Sequence, residues 1–596
     1  MEKVNAKTKI HSKLRLWDYP DQYIVETTDG TSGVYLAISR LDGALSFVGE
    51  LPKPSGGVSP KSRPIFGIVG MLKLFVGSYL LTISESECVG SYRGHSIFKV
   101  SSIQVLQCNA SLKKSSGEQK KMETELFSLL NDSNKTNGLF FSYDVNLTLS
   151  AQRLHNLSAE SKLLPLWRQA DPRFLWNGYL SEALIESKME MDQYILPIIQ
   201  GSYQNFEANI GKNRVDFTLI ARRCTRRTGT RMWRRGADSE GYAANFVESE
   251  QIIQSNGFTA SYVQIRGSIP VLWEQIVDLT YKPGFEIVDP DEAPRVLERH
   301  FLDLKNRYGS VVAIDLVNKH GSEGRLNEKY ANTIQHILDE ELRYVHFDFH
   351  KICGHIHFEK LSLLYNQIED SIKKHKYFLL NSNGEKSEEQ SGVIRTNCID
   401  CLDRTNVTQS MFGRKSLESQ LREMGYLSKD ETISMHPKFD SNFKILWANH
   451  GDDISIQYSG TPALKGDFVR YGKRTFQGIV NDGCNAMGRY YFNNFADGQR
   501  QDLIDLLHGH YIVSISRDKS VSSLAGGAPS QSLRTASGLI FAGMIFAIVS
   551  LKQGSGGISN AILSLVCAVL SLCIAVYVRI NGRIFTDRPR LLKPRH

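Results

Sequence analysis

Alternation of apolar and polar positions marks the first hundred residues. Tyr23-Ile-Val-Glu-Thr27, Gly33-Val-Tyr-Leu-Ala-Ile38 and Ile97-Phe-Lys-Val100 are short β-type runs bounded by Gly, Asp or Ser. Asp29-Gly30 and Asp42-Gly43 have the composition of hairpin turns. Phe66 to Ile83 is apolar with glycines, the pattern of paired buried strands. Lys113 to Asn137 turns polar, which predicts a surface excursion and a short helix over Met122–Leu130. Val311–Val317 is apolar but for Asp315, as in a strand covered on both faces of an α/β sheet. Asn318-Lys-His-Gly321 follows at its C-terminal end, where such sheets carry functional loops. Leu326–Leu342 reads as a helix. Asn381–Gly392 is a polar loop, either a mobile cover or a spacer. Val393-Ile394, a tight loop, and a helical Thr405–Leu417 then read as strand, loop, helix.

The pattern changes after Ser514. A Ser/Gly/Ala-rich linker over 516–534 is followed by 17 uncharged residues, Thr535–Leu551, a short turn, and 21 uncharged residues, Ile558–Val578. At about 1.5 Å per residue these helices are roughly 25 and 31 Å long, enough for a thin and an average bilayer. They predict a two-helix transmembrane hairpin, the alternative being a buried soluble hairpin. The tail, 579–596, carries Arg579, Arg583, Arg588, Arg590, Lys593 and Arg595 against Asp587. The positive-inside rule puts it, and with it the main domain, in the cytosol. The short first span suits the endoplasmic reticulum, with Golgi or other endomembranes as alternatives. Lys593-Pro-Arg-His596 does not match a dilysine retrieval signal.

Composition adds little beyond this. Of 596 residues 41% are hydrophobic and 22% charged, and a net charge of +8 is modest for the length. The nine cysteines are scattered, which suits reduced cytosolic thiols rather than a disulfide framework. The first residues have no apolar core for a signal peptide.

The chemistry sits in the loop after Val393-Ile394. Cys398 and Arg404 have Cys-x5-Arg spacing. A loop feeding a helix N-terminus offers backbone N–H groups and partial positive charge to an anion. The planar fork of Arg404 can grip two phosphate oxygens, and the same field favours the Cys398 thiolate. Such a thiolate is placed for in-line attack and a cysteinyl-phosphate. Asp400 at the rim could protonate the leaving alkoxide and then deprotonate water. Thr405 could hydrogen-bond the sulfur. Asp403 is a rival acid or a helix N-cap.

The whole string Arg395-Thr-Asn-Cys-Ile-Asp-Cys-Leu-Asp-Arg-Thr-Asn406 resembles the signature of the Sac-domain (suppressor-of-actin) phosphoinositide phosphatases, Arg-x-Asn-Cys-x-Asp-Cys-Leu-Asp-Arg-Thr-Asn. Asp171-Pro-Arg-Phe-Leu-Trp-Asn-Gly-Tyr179 is similar to the family's Phe-x-Trp-Asn element, with packing as its expected job. Ser261–Trp273 resembles a family motif near the site. Gln457-Tyr-Ser-Gly-Thr-Pro-Ala-Leu-Lys465 matches another family run; Trp447-Ala-Asn-His-Gly-Asp452, expected as a structural loop, departs slightly from the family's usual Trp-Ala-Asp/Asn-Asn-Gly/Ala-Asp by placing His450 where the family often has Asn. The resemblance covers most of 16–510. It implies a β-rich N-terminal subdomain, 1–165, and an α/β catalytic domain with a cysteine-phosphatase loop, 166–515. It further implies removal of phosphate from the inositol ring of phosphatidylinositol phosphates, with the 4-phosphate as the leading substrate and the 3-phosphate as an alternative. Cys398, Asp400, Arg404 and Thr405 are then catalytic. Asn397, Ile399, Cys401, Leu402, Asp403, Lys465 and Arg470 are expected at the substrate. The expected partners are the lipid and an anionic membrane surface; no cofactor and no metal is implied.

Other clusters have two readings. Arg222, Arg223, Arg226, Arg227, Arg231, Arg234 and Arg235 form either a positive face towards lipid or ion pairs with Asp238, Glu248 and Glu250. Nucleic acid is not favoured, because no nucleic-acid motif accompanies them. His346, Asp348 and His350 share one strand face by alternation and could hold a metal or serve structure; His350 could instead line the phosphate site. Cys398 and Cys401 form Cys-x-x-Cys, which lacks the second pair a zinc site needs. Rival functions are a protein tyrosine or dual-specificity phosphatase and a non-catalytic phosphoinositide-binding tether.

Overall fold

Two large sheets carry the computed structural model, which describes residues 9–28, 33–53, 60–109, 116–187, 189–288, 291–354, 357–513, 529–552 and 557–591. The first is a 5-stranded antiparallel sheet ordered Leu45–Val48, Tyr35–Ser39, Gln22–Thr27, Leu14–Asp18, Lys61–Ile65. The expected turn at Asp29-Gly30 lies outside the described residues.

The second sheet has 13 strands and changes character along its length. Gly67–Lys73 and Ser78–Tyr92 pair antiparallel with Gly67 opposite Ile83, so the apolar Phe66–Ile83 run is indeed two buried strands. The antiparallel order continues through His95–Cys108, Leu139–Phe141, Ile198–Ile210, Asn213–Arg223, Val247–Ser255 and Phe258–Arg266. It crosses residue 165 without a break, because Leu139–Phe141 pairs with Ile198–Ile210. The element before that strand closes the seam. Phe174 and Trp176 are buried, and the Asn177 amide donates to Val69 O (2.9 Å) and Leu196 O (3.0 Å).

Beyond Phe258–Arg266 the sheet turns parallel. Gly392–Asn397 lies between Phe258–Arg266 and Ser310–Asp315, and Leu342–His346 flanks the last. Alternation sends Val311, Ala313 and Val393 to one face, against Leu297, Phe301 and Leu304 of the helix Ala293–Tyr308. Val312, Ile314 and Ile394 face the other way, against Leu364 and Ile368 of the helix Leu361–His375 and against Phe412. Helices on both faces explain the apolar runs in the sequence. Each such side chain contributes about 1.5–3 kcal/mol by burial. Asp315 is opposite Asn397 and Arg266 opposite Thr396, so the three strands end level and Cys398 leaves the sheet at their C-terminal edge.

Several expectations need correction. The helix expected over Leu326–Leu342 is Gly324–Ile334 with one further 3-10 turn, and Leu342 opens a strand. Asp339 turns the chain there by accepting the Glu341 N–H (2.9 Å). Trp447–Asp452 is no loop but the middle of the helix Pro437–Ser459. In the polar Asn381–Gly392 stretch, Lys386–Glu388 pairs with Phe378–Leu380.

At the C-terminus two helices, Pro529–Lys552 and Gly557–Ile580, lie together, with Ser564 Oγ donating to Ala547 O (2.8 Å). The expected linker is shorter than 516–534, since 529–534 is helical; 516–528 lies outside the described residues. By length and composition, Ile558–Ile580 (mean hydropathy 2.7) is the candidate membrane crossing among the described residues. The apolar run Thr535–Ser550 is shorter than that, so the expected pair of spans reduces to one candidate helix and a shorter neighbour. Past Gly582–Phe585 the chain returns to the main body, where Asp587 N donates to Asn494 O (2.7 Å) and Arg590 N to Asp502 (2.9 and 3.0 Å). Residues 592–596 lie outside the described residues.

Candidate active site

The strand Gly392–Asn397, the loop 398–402 and the helix Asp403–Glu423 realise the strand–loop–helix order read from the sequence. Cys401 takes a left-handed φ of 52° inside the loop, which lets five residues turn from sheet edge to helix. Cys398 is buried, and Thr405 Oγ1 donates to its Sγ at 3.3 Å. Burial alone would push the Cys398 thiol up. Hydrogen bonds from Cys401 and Thr405 and the charge of Arg404 outweigh burial and the opposing Asp400, and bring it down to about 6. Burial and the neighbouring Cys398 push Cys401 far the other way, so it stays a thiol; its Sγ lies 2.8 Å from Gly267 O.

Arg404 is held by a residue the sequence reading did not name. Glu323, immediately before the helix Gly324–Ile334, accepts from Arg404 Nη1 (2.9 Å) and Nη2 (2.8 Å) with its two oxygens. Leu316 O (3.0 Å) and Asn318 Oδ1 (3.3 Å) accept from Nη1 as well. These acceptors come from the segment after the strand Ser310–Asp315, where the sequence placed a functional loop. Asn318 N donates to Glu323 Oε2 (3.1 Å), so strand end, carboxylate and arginine lock together. An acidic residue two past Gly321, at the same sheet edge as the signature, is the signal that could have flagged it.

Asp400 has the converse arrangement. Arg231 and Arg235 each place a guanidinium nitrogen 2.7 Å from its carboxylate, and Arg235 also donates to Ile399 O (3.0 Å). Burial would raise the Asp400 pKa, but the two arginines hold it far below the usual carboxylate range. The arginine-rich stretch is therefore no solvated positive face. Arg222 is fully buried against Glu248 (3.0 Å) and Glu250 (2.7 Å), Arg226 forks onto Asp303, and Arg234 onto Asp505. Asp238, expected as a partner, instead accepts the backbone N–H groups of Glu240 and Tyr242.

The remaining expected site residues divide into those under the loop and those beside it. Asn397 is buried in a network, accepting from Arg395 Nη1 (2.8 Å) and donating to Asp315 Oδ1 (2.6 Å). Leu402 packs with Ala221, Val247, Ile454 and Tyr458. Ile399 is partly buried against the apolar cluster around Phe301. These are loop supports. Asp403 is not an N-cap: it is the first helical residue, and its carboxylate accepts from Leu464 N (2.7 Å) and Arg489 Nη1 (3.3 Å). Lys465 stands next to Leu464, close enough for burial to lower its pKa while Asp403 opposes. Arg470 pairs with Asp452 and donates to Asn449 (3.0 Å).

Arg266, beneath the loop, is fully buried and donates to Gln409 (2.9 Å) and Asn406, with no carboxylate paired to it among the described residues. Burial pulls it down to about 10, and Cys401 and Cys398 are the neighbours that favour its charge. His450 is buried with Nε2 2.9 Å from Ser249 Oγ, and burial keeps its pKa well below normal, so it is a neutral structural residue. The possible metal trio does not share a strand face. The strand ends at His346, Asp348 caps the short helix Phe349–Cys353, and His350 lies within that helix. His346 Nε2 is 2.9 Å from Val317 O. Among the described residues no group of three His, Cys, Asp or Glu side chains is spaced for a metal.

A thiol with a lowered pKa beside an arginine, at the C-terminal edge of parallel strands, is the arrangement that a cysteine-based phosphatase would use. A family model described as the SacI homology domain matches residues 66–354, ending before the signature loop. Whole-chain relatives extend over the loop as well. The phosphoinositide phosphatase SAC6 of Arabidopsis thaliana is 60% identical over 592 residues, 99% of this chain and 100% of its own. The phosphoinositide phosphatase SAC8 of the same plant is 44% identical over 98% of each chain. The phosphatidylinositol-3-phosphatase SAC1 of Saccharomyces cerevisiae is 33% identical over 81% of this chain and 78% of its own. The chain belongs to the SacI-homology family of phosphoinositide phosphatases.

Proposed function

We propose that this phosphatase removes the phosphate of phosphatidylinositol monophosphates through a cysteinyl-phosphate on Cys398. The observation that carries the mechanism is the Cys398 thiol brought down to about 6 with Thr405 Oγ1 at 3.3 Å from its sulfur. The thiolate attacks phosphorus, the P–O bond to the inositol carbon's oxygen breaks, and the alkoxide leaves with a proton. Water then attacks phosphorus, the S–P bond breaks, and Thr405 donates to the departing sulfur. Arg404, backed by Glu323, binds the phosphate oxygens.

Asp400 serves as acid and then base in this reading, with one condition. While Arg231 and Arg235 sit on it, Asp400 is a carboxylate suited to activating water. It gains a proton for the first step when the incoming phosphate draws those arginines away, because losing cationic neighbours raises a carboxylate pKa. The 4-phosphate is the first expectation for substrate. The names of relatives such as the yeast enzyme favour the 3-phosphate as the other.

We keep 165 as the boundary between a β-rich N-terminal subdomain and the catalytic domain that carries the loop, although the antiparallel strands run on to Arg266. Thr535–Leu551 and Ile558–Val578 both enter the membrane, with the main domain and the 579–596 tail in the cytosol and the endoplasmic reticulum as the host. The decisive experiment is phosphate release by the full chain in vesicles from each phosphoinositide, beside Cys398→Ser. Release from one or two monophosphates that the variant lacks supports the proposal. Hydrolysis of phosphotyrosine peptides in place of lipids would favour a protein phosphatase, and lipid binding without release a tether.

A further inference from the structure

The helix Phe476–Phe495 is built inside out. Its buried residues, Arg489, Asn493 and Asn494, are all polar. Phe492 and Phe495 are partly buried, but along one side large apolar side chains face outward: Phe476 is 81% exposed, Met487 68%, Tyr491 54% and Ile479 52%. With Val480 they recur at helical spacing along one side. A helix on a water-soluble surface shows the opposite arrangement. Phe476, Ile479, Val480 and Met487 join none of the apolar clusters among the described residues. A run of this kind marks an interaction site.

The polar side faces inward because it braces the signature loop. Arg489 donates to Thr461 Oγ1, Ser455 Oγ and Pro462 O, each at 3.0 Å, and reaches Asp403 at 3.3 Å. Asp482 accepts from Lys465 N (3.0 Å) and pairs with Arg474 (2.6 Å). What covers the other side is indicated by the chain's own membrane segment. The tail that follows Ile558–Ile580 docks on the far end of this helix, through Asp587 N and Asn494 O at 2.7 Å. In the segment leading from that helix to the docking point, Ile580 (76%) and Ile584 (61%) are also exposed and apolar. Lys473, just before the helix Phe476–Phe495, and Arg579, Arg583 and Arg588, after Ile558–Val578, are exposed cations, as suits anionic headgroups.

We propose that Phe476–Phe495 is an interfacial helix that lies in the headgroup–acyl boundary of the bilayer holding Ile558–Ile580, with Phe476, Ile479, Val480, Met487 and Tyr491 in the lipid. This rests on that helix crossing a membrane. Because the same helix holds Asp403 and Lys465, docking sets the signature loop against the headgroups of that bilayer.

The test is photolabelling of the full chain in phosphatidylcholine–phosphatidylserine vesicles, with a diazirine on the lipid acyl chain and peptide mapping by mass spectrometry. Label on 476–491 as well as on 558–580 is the expected result. Label on 558–580 alone overturns the docking and leaves the membrane reading intact; label on neither overturns both. Zero-length cross-links joining 476–491 of two copies, without lipid label there, would assign the face to self-association and also overturn the proposal. As a second measurement, combined Phe476→Ser, Ile479→Ser and Met487→Ser should lower hydrolysis of bilayer-embedded substrate roughly tenfold. Hydrolysis of a water-soluble short-chain phosphoinositide should stay within about twofold, which also shows that the variant folds. Equal loss on both substrates contradicts the proposal.

Discussion

At one end of the signature loop a carboxylate, Asp400, is held by two guanidinium groups; at the other a guanidinium, Arg404, is held by one carboxylate. The Arg404–Glu323 pair is balanced, forked and braced by Leu316 O and Asn318. It fixes a direction. The Asp400 cluster carries surplus positive charge, so it is an anion-seeking group whose carboxylate is loosened by whatever competes for Arg231 and Arg235. In the proposed mechanism, position would come from the balanced end and response to phosphate from the unbalanced one.

The largest effect separates charge from geometry. Arg404→Lys keeps the charge but loses the fork towards Glu323 and phosphate, so kcat/KM should fall about 10²–10³-fold. A loss under about threefold would mean that charge alone suffices at that end. Next is Asp400→Asn, expected to lower kcat about 10²-fold on a phosphoinositide, whose alkoxide needs a proton to leave. On an aryl phosphate, which leaves readily as its anion, the loss should be much smaller. Equal losses on both substrates would remove Asp400 from proton transfer and leave it a tether for the arginines.

Glu323→Gln should cost about tenfold in kcat/KM by loosening Arg404. It also carries a pH signature. The Cys398 thiolate forms as pH rises through about 6, so the acidic limb of kcat/KM lies there. Removing a negative charge beside Arg404 strengthens the positive field on the sulfur, so the limb should move to lower pH. A limb that stays put while activity falls would give Glu323 a purely structural part. His450→Asn is expected to be the smallest change, within about twofold in activity at any pH, because the imidazole is buried, neutral and bonded to Ser249.

Much of this was legible along the chain. The apolar pair Val393-Ile394 and the helical run after Thr405 foretold the strand–loop–helix, and the string between them offered Cys398 and Arg404 as candidate nucleophile and phosphate-binding arginine. The level strand ends made the Asn318 region relevant, as its place after Val311–Val317 suggested. The partners were not legible, because periodicity says nothing about which distant loop closes on a site. Glu323 lies 81 residues before Arg404, and Arg231 lies 169 before Asp400. The arginine cluster could be read as a positive face or as ion pairs because, beyond Glu248 and Glu250 on Arg222, its carboxylates Asp303, Asp400 and Asp505 sit far away in sequence. Asn397 and Leu402 looked like ligand contacts because they flank the nucleophile, yet the sheet edge and the Ile454–Tyr458 cluster claim them. The helix Phe476–Phe495 was not singled out in the sequence, and its apolar stripe faces away from the core.

The most direct test of the central claim is to trap the intermediate. The full chain in vesicles is mixed with phosphatidylinositol 4-phosphate or 3-phosphate, quenched in acid within one turnover, digested, and examined for phosphopeptides by mass spectrometry. A phosphoryl group on Cys398, absent from Cys398→Ser, is the predicted result. Phosphate released at an undiminished rate by Cys398→Ser, or a phosphoryl group carried on another residue, would contradict it.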